Sequence, residues 1–420
     1  MFVSWSIGGG AGLIGFKSVL VVATLWLVGL QVSGVAMSLS LRALLMFTAA
    51  AGIWARVYVF RPQVFSLLIF AVVLTLLRAA DKGRVRALWL VPAAFALWVN
   101  LHGGWIVGLA TVALWAGCNL TPLRSTPGNR AALVVLCAAC VTATLVNPYG
   151  PGLWAFVTET VRFERTWIAD WQPLLDAGAG KIVPWAIAAT FASIALVHRT
   201  PPIPASYTLL VVGLGLGSLR VSRLDAFFSL SVLMLLAPQI AAFAEGRRPG
   251  VRLKATEPVW NWMVAAFLAV VLAVATFPRA FRCVRLDGPW MPEREAGALI
   301  AGSQLQGRLL TWFDWGQYAI WHFAPALSVS FDGRRETLYS SDYIDRHTNL
   351  YFDPSTEQAF LQRLDPDYAW LARDLPLAAE LERRGWTRLF AGPESVVLSQ
   401  RAVPVVQQSP IQTSPCFPGP

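Results

Sequence analysis

Long apolar runs separated by short polar clusters occupy residues 1–278 of the chain. A helix needs about 20 apolar residues to cross the hydrocarbon core of a bilayer, so each run of that length predicts a membrane span. The pattern predicts about ten spans in this part of the chain. Their expected bounds are 11–33, 38–56, 62–79, 87–101, 104–120, 131–147, 182–198, 204–219, 225–244 and 259–278.

The pattern changes after residue 278 to a mixture of charges, glycines and short alternating segments, which predicts a soluble α/β domain over 279–401. Residues 402–420 are rich in Pro, Gln and Ser and predict a disordered tail. The expected fold class is a membrane all-α protein, a polytopic helical bundle followed by a small α/β extracytoplasmic domain. In that domain strands are expected at 309–313, 327–331, 368–372 and 396–398, and helices at 356–363 and 377–384.

The composition also requires a membrane. Of the 420 residues, 56% are hydrophobic and 14% are charged, and the mean hydropathy is +0.54. A soluble globular chain carries about 25% charged residues, so the bilayer must be part of this chain's solvent. The net charge of +10 falls in short clusters between apolar runs. This distribution argues against a nucleic-acid partner and favours contact with membrane lipids.

The basic clusters also predict orientation, because Lys and Arg in short loops are retained on the cytoplasmic side. Clusters at 78–86, 124–130 and 247–254, together with Arg199, predict cytoplasmic loops. The alternate loops and the α/β domain are then expected outside. Because ten is an even number of spans, a chain that ends outside must also begin outside, at Met1, and no signal peptide would take it there. Two explanations are open: the first run does not span, or an upstream helix is missing. The second is preferred.

Polar residues collect at the expected outer ends of the helices, where they can converge on one surface. Arginines there suit the oxygens of a phosphate, and glycines let backbone N–H groups approach it. Each residue alone also has a plain structural reading, such as a turn, an ion pair, or a histidine bonded to a backbone carbonyl. The candidate substrate-binding residues are Arg61, Gln63, Asn100, His102, Gly103, Asn147, Tyr149, Arg220 and Arg223.

A catalytic base would be a carboxylate on the same face. The candidates are Asp170, in the string Asp170-Trp171-Gln172-Pro173, and Glu159, although carboxylates in outward loops are more often simply solvated. The sequence has no arrangement typical of a Ser or Cys nucleophile, no P-loop and no dinucleotide fingerprint. It requires no cofactor. A divalent metal stays possible, but no residue pattern supports one.

The order of these motifs resembles a known family. Arg61-Pro62-Gln63, Trp98 to Gly104, Asn147-Pro148-Tyr149-Gly150, Asp170 to Pro173 and Arg220 to Arg223 follow one another as in bacterial multi-pass proteins related to the GT-C class of glycosyltransferases. The stretch from Gly307 to Arg334 is similar to the outward C-terminal domain of those proteins. The resemblance covers residues 11–401.

The resemblance implies an enzyme of the bacterial inner membrane with a periplasmic C-terminal domain. Such an enzyme takes a hexosyl or pentosyl group from a polyprenyl-phosphate sugar and passes it, with inversion, to a lipid, polysaccharide or protein acceptor of the cell envelope. In that class the base lies in an acidic loop after the first helix, and this sequence has no counterpart of that loop.

Three functions therefore stay open. The first is an inverting glycosyltransferase, and the second is a non-catalytic scaffold or glycolipid-binding subunit. The third is a transporter or flippase, which would place charges near helix midpoints. Lys17 is the charge that lies noticeably inside a predicted span.

Overall fold

A computed structural model describes residues 2–58, 61–120, 127–162, 171–246, 291–334 and 338–401, with the side chains of 2, 127–129 and 159–162 left out. The chain divides into two compact units, Met1–Phe277 and Pro278–Pro420. Each expected span up to residue 244 overlaps a helix, but the spans 87–101 and 131–147 end in turns and the span 225–244 is interrupted at Leu236. The expected span 259–278 and the tail 402–420 lie outside the described residues.

The first unit is helical throughout its described residues. Short 3-10 turns precede α4, α8 and α10 at Val85–Trp89, Leu174–Asp176 and Ser222–Leu224. The α-helices are α1 Phe2–Ser33, α2 Leu39–Val57, α3 Gln63–Asp81, α4 Leu90–Trp98, α5 Trp105–Asn119, α6 Pro127–Ala143, α7 Gly152–Arg162, α8 Ala179–His198, α9 Ala205–Arg220, α10 Asp225–Leu235 and α11 Ala237–Ala244.

α10 lies at the centre of this unit, since every residue from Asp225 to Leu235 is buried. α2 and α3 pack on it closely. A Cβ added at Gly52 of α2 would come 2.7 Å from the Ser229 side chain, so glycine permits the approach. Phe70 of α3 meets Phe227 edge to face, with ring centroids 5.0 Å apart.

Helix length separates the spans into two groups. Within the described part of the chain, four helices are long and apolar enough to cross a membrane: Val3–Ser33, Leu39–Val57, Gln63–Asp81 and Ala179–His198. A bent pair, Ser222–Leu235 with Ala237–Ala244, raises the number to five if it forms one span. Other apolar helices are shorter, at 10–17 residues, because turns interrupt the apolar runs. The expected ten transmembrane helices are therefore not confirmed.

The outer helices keep apolar faces that no described residue covers. In the most apolar 18-residue stretch of each helix, 22% of the residues of α1 and 17% of those of α8 are buried inside the protein, compared with 67% in α3. Exposed residues on α1 include Val19, Val22 and Trp26. Apolar faces of this size on long helices suit contact with lipid.

The bent pair turns by 64° at Leu236. Pro238 lies in the first turn of α11, where its missing N–H costs nothing but prevents α10 from continuing. Arg78 of α3 donates to the carbonyl of Met234, one of the acceptors left open where α10 ends.

A second polar cluster lies near the same end of α3. Asp81 accepts from the indole of Trp115 at 3.0 Å and from the hydroxyl of Tyr207. Both donors come from shorter apolar helices, so the carboxylate joins α3 to α5 and α9.

The second unit is an α/β fold around one five-stranded sheet with strand order β2-β1-β3-β5-β4. β1, β2 and β3 run parallel, and β5 pairs antiparallel with β3 and β4. The strands are β1 Gly307–Thr311, β2 Leu327–Val329, β3 Tyr368–Ala372, β4 Thr387–Ala391 and β5 Ser395–Ser399. The helices are α12 Arg294–Gly302, α13 Gly316–Phe323, α14 Ser341–Phe352, α15 Gln358–Leu364 and α16 Pro376–Arg383.

The sheet buries apolar side chains on both faces, as parallel strands do. Leu310, Ala369 and Leu371 face the cluster that contains α14 to α16. Leu309 and Trp370 face the opposite cluster with α12 and α13. The expected strands 309–313 and 327–331 end earlier than predicted, because the chain turns at Phe313–Trp315 and after Val329.

Candidate functional site

In the first unit, side-chain contacts join four helix ends in two pairs. The start of α3 meets the turn between α4 and α5, and the end of α2 meets the turn between α9 and α10. Tertiary packing rather than sequence proximity brings them together, since the bonded pairs lie 32 to 169 residues apart.

The turn at His102 is held by a chain of hydrogen bonds. The indole Nε1 of Trp98 donates to Ser66 Oγ at 2.8 Å, and Ser66 Oγ lies 2.7 Å from His102 Nδ1. The backbone N–H of Gly104 also reaches Nδ1, at 3.2 Å. An indole N–H and an amide N–H can only donate. Ser66 therefore accepts from Trp98 and donates to His102, whose Nδ1 accepts twice.

Two glycines of α5 and its preceding turn allow this arrangement. A Cβ at Gly104 would lie 2.4 Å from Ser66 Oγ, and one at Gly108 would lie 2.3 Å from the ring of Trp98. Gly103, the glycine named among the candidate binding residues, is exposed and has open space where a Cβ would lie. The close approach thus belongs to Gly104.

The turn before α10 is fixed by a buried ion pair. Arg56 of α2 and Asp225 are 3% and 4% exposed, and the guanidinium donates through two nitrogens to the two carboxylate oxygens, each at 2.9 Å. Arg56 also donates to the carbonyl of Ser222 at 2.6 Å. Asp225 is the first residue of α10, where a negative charge is favourable to the helix dipole.

The segment after Asp170 packs on the same turn. The backbone N–H of Ser222 donates to the carbonyl of Gln172 at 3.0 Å, and the guanidinium of Arg223 lies 5.3 Å from the ring centroid of Trp171. That geometry is a cation–π contact. Part of the distinctive string 170–173 therefore lies beside the arginine turn.

Arg223 also acts on His102, which connects the two groups of contacts. The turn that carries His102 lies between helices rather than within one. Burial lowers the pKa of His102 to about 4, and the positive charge of Arg223 contributes to the same shift. The imidazole is therefore neutral at physiological pH.

Three further predicted binding residues, Gln63, Arg61 and Arg220, lie at or beside the ends of α3 and α9. Gln63 begins α3 and is 2% exposed, and its amide nitrogen has no hydrogen-bond partner in the described part of the chain. Arg61 is exposed just before α3, and Arg220 is the last residue of α9.

Two asparagines have structural partners. The Asn100 amide donates to the carbonyls of Ala96 and Val146, at 2.8 and 2.7 Å, and ties its turn to the segment after α6. Asn147 Oδ1 accepts from the N–H of Tyr149 at 2.8 Å, and Tyr149 is 76% exposed. Asn147 thus makes the local turn that its sequence context suggests.

The candidate bases stay untested by the geometry. Asp170 lies outside the described residues, and Glu159 lies in α7 where side chains are not described. Asp225 is a carboxylate at this face that sequence reasoning missed, but Arg56 engages both of its oxygens. Among the described residues, no group of three His, Cys, Asp or Glu side chains could hold a metal ion.

Sequence reasoning also missed Arg56, Ser66 and Trp98 as members of the site. Arg56 is the last residue of the expected span 38–56, and nothing in the sequence around it indicates Asp225 as its partner. Ser66 lies about one helical turn beyond Gln63 and so shares its side of α3. That spacing is the one signal that could have included Ser66 in the site.

The second unit has a polar cluster of its own just beyond the carboxyl end of β2. Asp332 is fully buried and accepts from Arg334 Nε and Nη2 at 2.8 and 2.7 Å and from Tyr339 at 2.7 Å. Burial raises the pKa of this carboxyl, but the bonds from Arg334 and Tyr339 outweigh burial, so the pKa lies below its ordinary value. Asp332 stays ionised and orders the loop after β2.

No protein-family model and no curated protein sequence matches the chain. Among solved structures it is similar to the arabinofuranosyltransferase AftD from mycobacteria, determined by cryo-EM. The identity is 17%, the TM-score is 0.49, and the match covers 92% of this chain and 35% of that chain. The chain thus spans about a third of the length of that structure. At this identity and TM-score the likeness is distant and carries no argument about activity.

Proposed function

We propose that the protein is an integral membrane glycosyltransferase of the GT-C type, which uses a polyprenyl-phosphate sugar and acts at the periplasmic face of a bacterial inner membrane. The observation that supports the proposal is a set of polar contacts at helix ends of a lipid-suited helical unit: His102 bonds to Ser66 near the start of α3, and the guanidinium of Arg223 lies over the Trp171 ring. The order of sequence motifs supports the same class.

Sugar transfer from a lipid phosphate requires stabilisation of the negative charge that develops on the departing phosphate. Arg223 suits this task because its guanidinium is a fixed positive charge held over the Trp171 ring. A phosphate at this point would meet a fixed positive charge at a boundary where water is partly excluded. Electrostatic attraction between opposite charges is stronger there than in bulk water.

The acceptor hydroxyl also requires a base, and Asp225 is unsuited to that role. Both of its oxygens already accept from Arg56, so neither is placed to take a proton from an acceptor hydroxyl. We assign it to holding the Ser222–Arg223 turn. Asp170 and Glu159 stay as the proposed bases.

The engagement of Asp225 also favours a second candidate, a non-catalytic subunit that binds a glycolipid. Such a subunit needs the phosphate site but no base. It would bind a polyprenyl-phosphate sugar without turnover.

The test uses the full chain in lipid nanodiscs, supplied with radiolabelled polyprenyl-phosphate arabinose or mannose and a membrane glycolipid extract as acceptor. Arg223→Ala should reduce transfer by about 10²-fold or more, the range typical of losing one group that stabilises charge in a transition state. Arg84→Ala, an exposed arginine beyond the opposite end of α3, is the matched control and should leave transfer unchanged.

Each outcome decides between the candidates. Transfer that survives Arg223→Ala would show that the phosphate assignment is wrong. Binding of the labelled lipid without transfer, lost in Arg223→Ala and kept in Arg84→Ala, would support the binding subunit. Neither binding nor transfer by the unmodified chain would exclude both.

A further inference from the structure

The hydrogen-bond chain at His102 fixes which ring nitrogen carries the proton. Gly104 N–H and the Ser66 hydroxyl both point their hydrogens at Nδ1, at 3.2 and 2.7 Å. An acceptor of two hydrogen bonds cannot also carry a hydrogen in the ring plane. The single proton of the neutral imidazole therefore lies on Nε2, and the partner of Nδ1 sets this choice.

The direction of the chain is fixed by the backbone N–H of Gly104, which can only donate. Because Gly104 N–H donates to His102 Nδ1, that nitrogen carries no hydrogen, and the Ser66 hydroxyl must be the donor in the 2.7 Å contact with it. Trp98 Nε1 donates to Ser66 Oγ, which accepts through a lone pair. Trp98 is completely buried and packs on Gly108, so the donor that starts the chain is rigidly held.

We infer that His102 is a tautomer-locked, uncharged hydrogen-bond donor, which recognises a phosphate oxygen of the ligand through Nε2–H. The inference deepens the proposed function and rests on it for the identity of the ligand. The donor adds direction to the site, whereas Arg223 adds charge.

The surroundings keep the ring in this state across physiological pH. Ser66 from α3 and Trp98 from α4 carry no charge, and Gly104 contributes only its backbone. Among the described residues, Arg223 is the charged group that acts on the ring, and it opposes a second positive charge. The ring thus donates one hydrogen bond without becoming an imidazolium.

Two amide substitutions separate the two sides of the ring. The nitrogen of a glutamine amide occupies about the position of Nε2, whereas an asparagine amide reaches only the position of Nδ1. His102→Gln therefore keeps the donor toward the ligand and loses the acceptor for Gly104. His102→Asn keeps an acceptor for Gly104 and Ser66 and loses the donor.

The first measurement is ¹⁵N NMR of histidine side chains in the full chain in nanodiscs, with His102→Gln used to assign the signal among the four histidines. We expect an Nε2–H tautomer that does not titrate between about pH 5 and 8, the range in which an ordinary histidine does. Ser66→Ala should weaken the lock and let the Nδ1–H form appear. An Nδ1–H tautomer in the unmodified chain, or titration near the ordinary pKa of about 6.5, would overturn the inference.

The second measurement is binding of undecaprenyl phosphate to the same nanodiscs. His102→Asn should bind about tenfold or more weakly, as expected for a lost hydrogen bond to a charged group, and His102→Gln should keep most of the affinity. The opposite order would mean that His102 only holds its turn. Equal weakening in both variants would also refute a donor role.

The two proposals fail in different ways. If the unmodified chain transfers sugar and Arg223→Ala does not, while both His102 variants match the unmodified chain, only the role of His102 is wrong. If the unmodified chain neither binds undecaprenyl phosphate nor transfers sugar, the proposed function fails and the ligand assigned to His102 fails with it.

Discussion

His347 of the second unit makes that unit sensitive to mild acid. The side chain is completely buried, its Nε2 lies 3.0 Å from Ser330 Oγ, and its ring packs between Phe331 and Tyr351. Burial lowers the pKa of His347 from the ordinary value of 6.5 to about 3. The folded unit therefore holds this ring neutral, whereas the unfolded chain protonates it as the pH falls through 6.5.

The sign follows from which state binds the proton. Below pH 6.5 the unfolded chain takes up a proton that the folded unit does not, so stability falls as pH falls, down to about pH 3. Each pH unit in this window costs about 1.4 kcal/mol. The free energy of unfolding of the second unit should thus be about 2 kcal/mol lower at about pH 5 than at about pH 7.5. Above pH 6.5 the contribution is complete.

The measurement is hydrogen exchange by mass spectrometry on the full chain in nanodiscs, corrected for the intrinsic pH dependence of exchange. Peptides that cover β3 and α14 report opening of the second unit. His347→Phe removes the titrating group and keeps an aromatic ring of similar size. We expect the acid-dependent loss of protection to disappear in this variant and to persist in His322→Gln, the matched control on α13. An equal loss in His347→Phe and the unmodified chain would refute the reasoning.

Two further predictions concern the candidate site. Asp225→Asn should lower the stability of the first unit by about 3–5 kcal/mol, because it leaves the buried Arg56 charge without its counterion. The double variant Arg56→Met/Asp225→Asn should cost less than the two single variants added together, and additive costs in a thermal double-mutant cycle would contradict the pairing. Gly104→Ala should cost about 1–3 kcal/mol through its contact with Ser66, whereas Gly103→Ala, with open space around it, should cost far less. Equal thermal stability of the two glycine variants would contradict the close approach.

Apolar periodicity predicts the helices of the first unit well, because a helix that faces lipid or a protein core must be apolar for most of its length. It predicts the number of spans less well. The run 225–244 reads as one span, but Pro238 ends α10 and begins a helix that departs by 64°. The shorter helices show the same limit, since apolar composition does not reveal where a turn interrupts a run.

Burial explains which strands the sequence predicts. β3 is predicted at its observed bounds, Tyr368–Ala372, because four of its five residues are buried and apolar. β4, Thr387–Ala391, is missed. It is an edge strand with no buried residue, so its sequence lacks the apolar run that marks a central strand.

The contacts of the candidate site depend on long-range pairing, which no local pattern contains. Arg56 and Asp225 lie 169 residues apart, and His102 lies 36 residues from Ser66. Helix-end position predicts that polar residues can converge, but it does not choose partners. The sequence therefore indicates the exposed Arg61 rather than the buried Arg56, and it does not distinguish Gly103 from the closely packed Gly104.

The geometry of the buried Arg56–Asp225 ion pair gives a reason to keep it in an apolar unit, although removing two charges from water is costly. A charged side chain at this depth is unfavourable unless it is paired, and an apolar pair of similar size could stabilise the helices as well or better. An apolar pair, however, could not join the start of α10 to α2 and at the same time hold the carbonyl of Ser222. The ion pair fixes the backbone directly before Arg223, and Arg223 acts on His102. Specific placement of Arg223, rather than stability, is therefore the physical reason to keep Arg56 and Asp225 together.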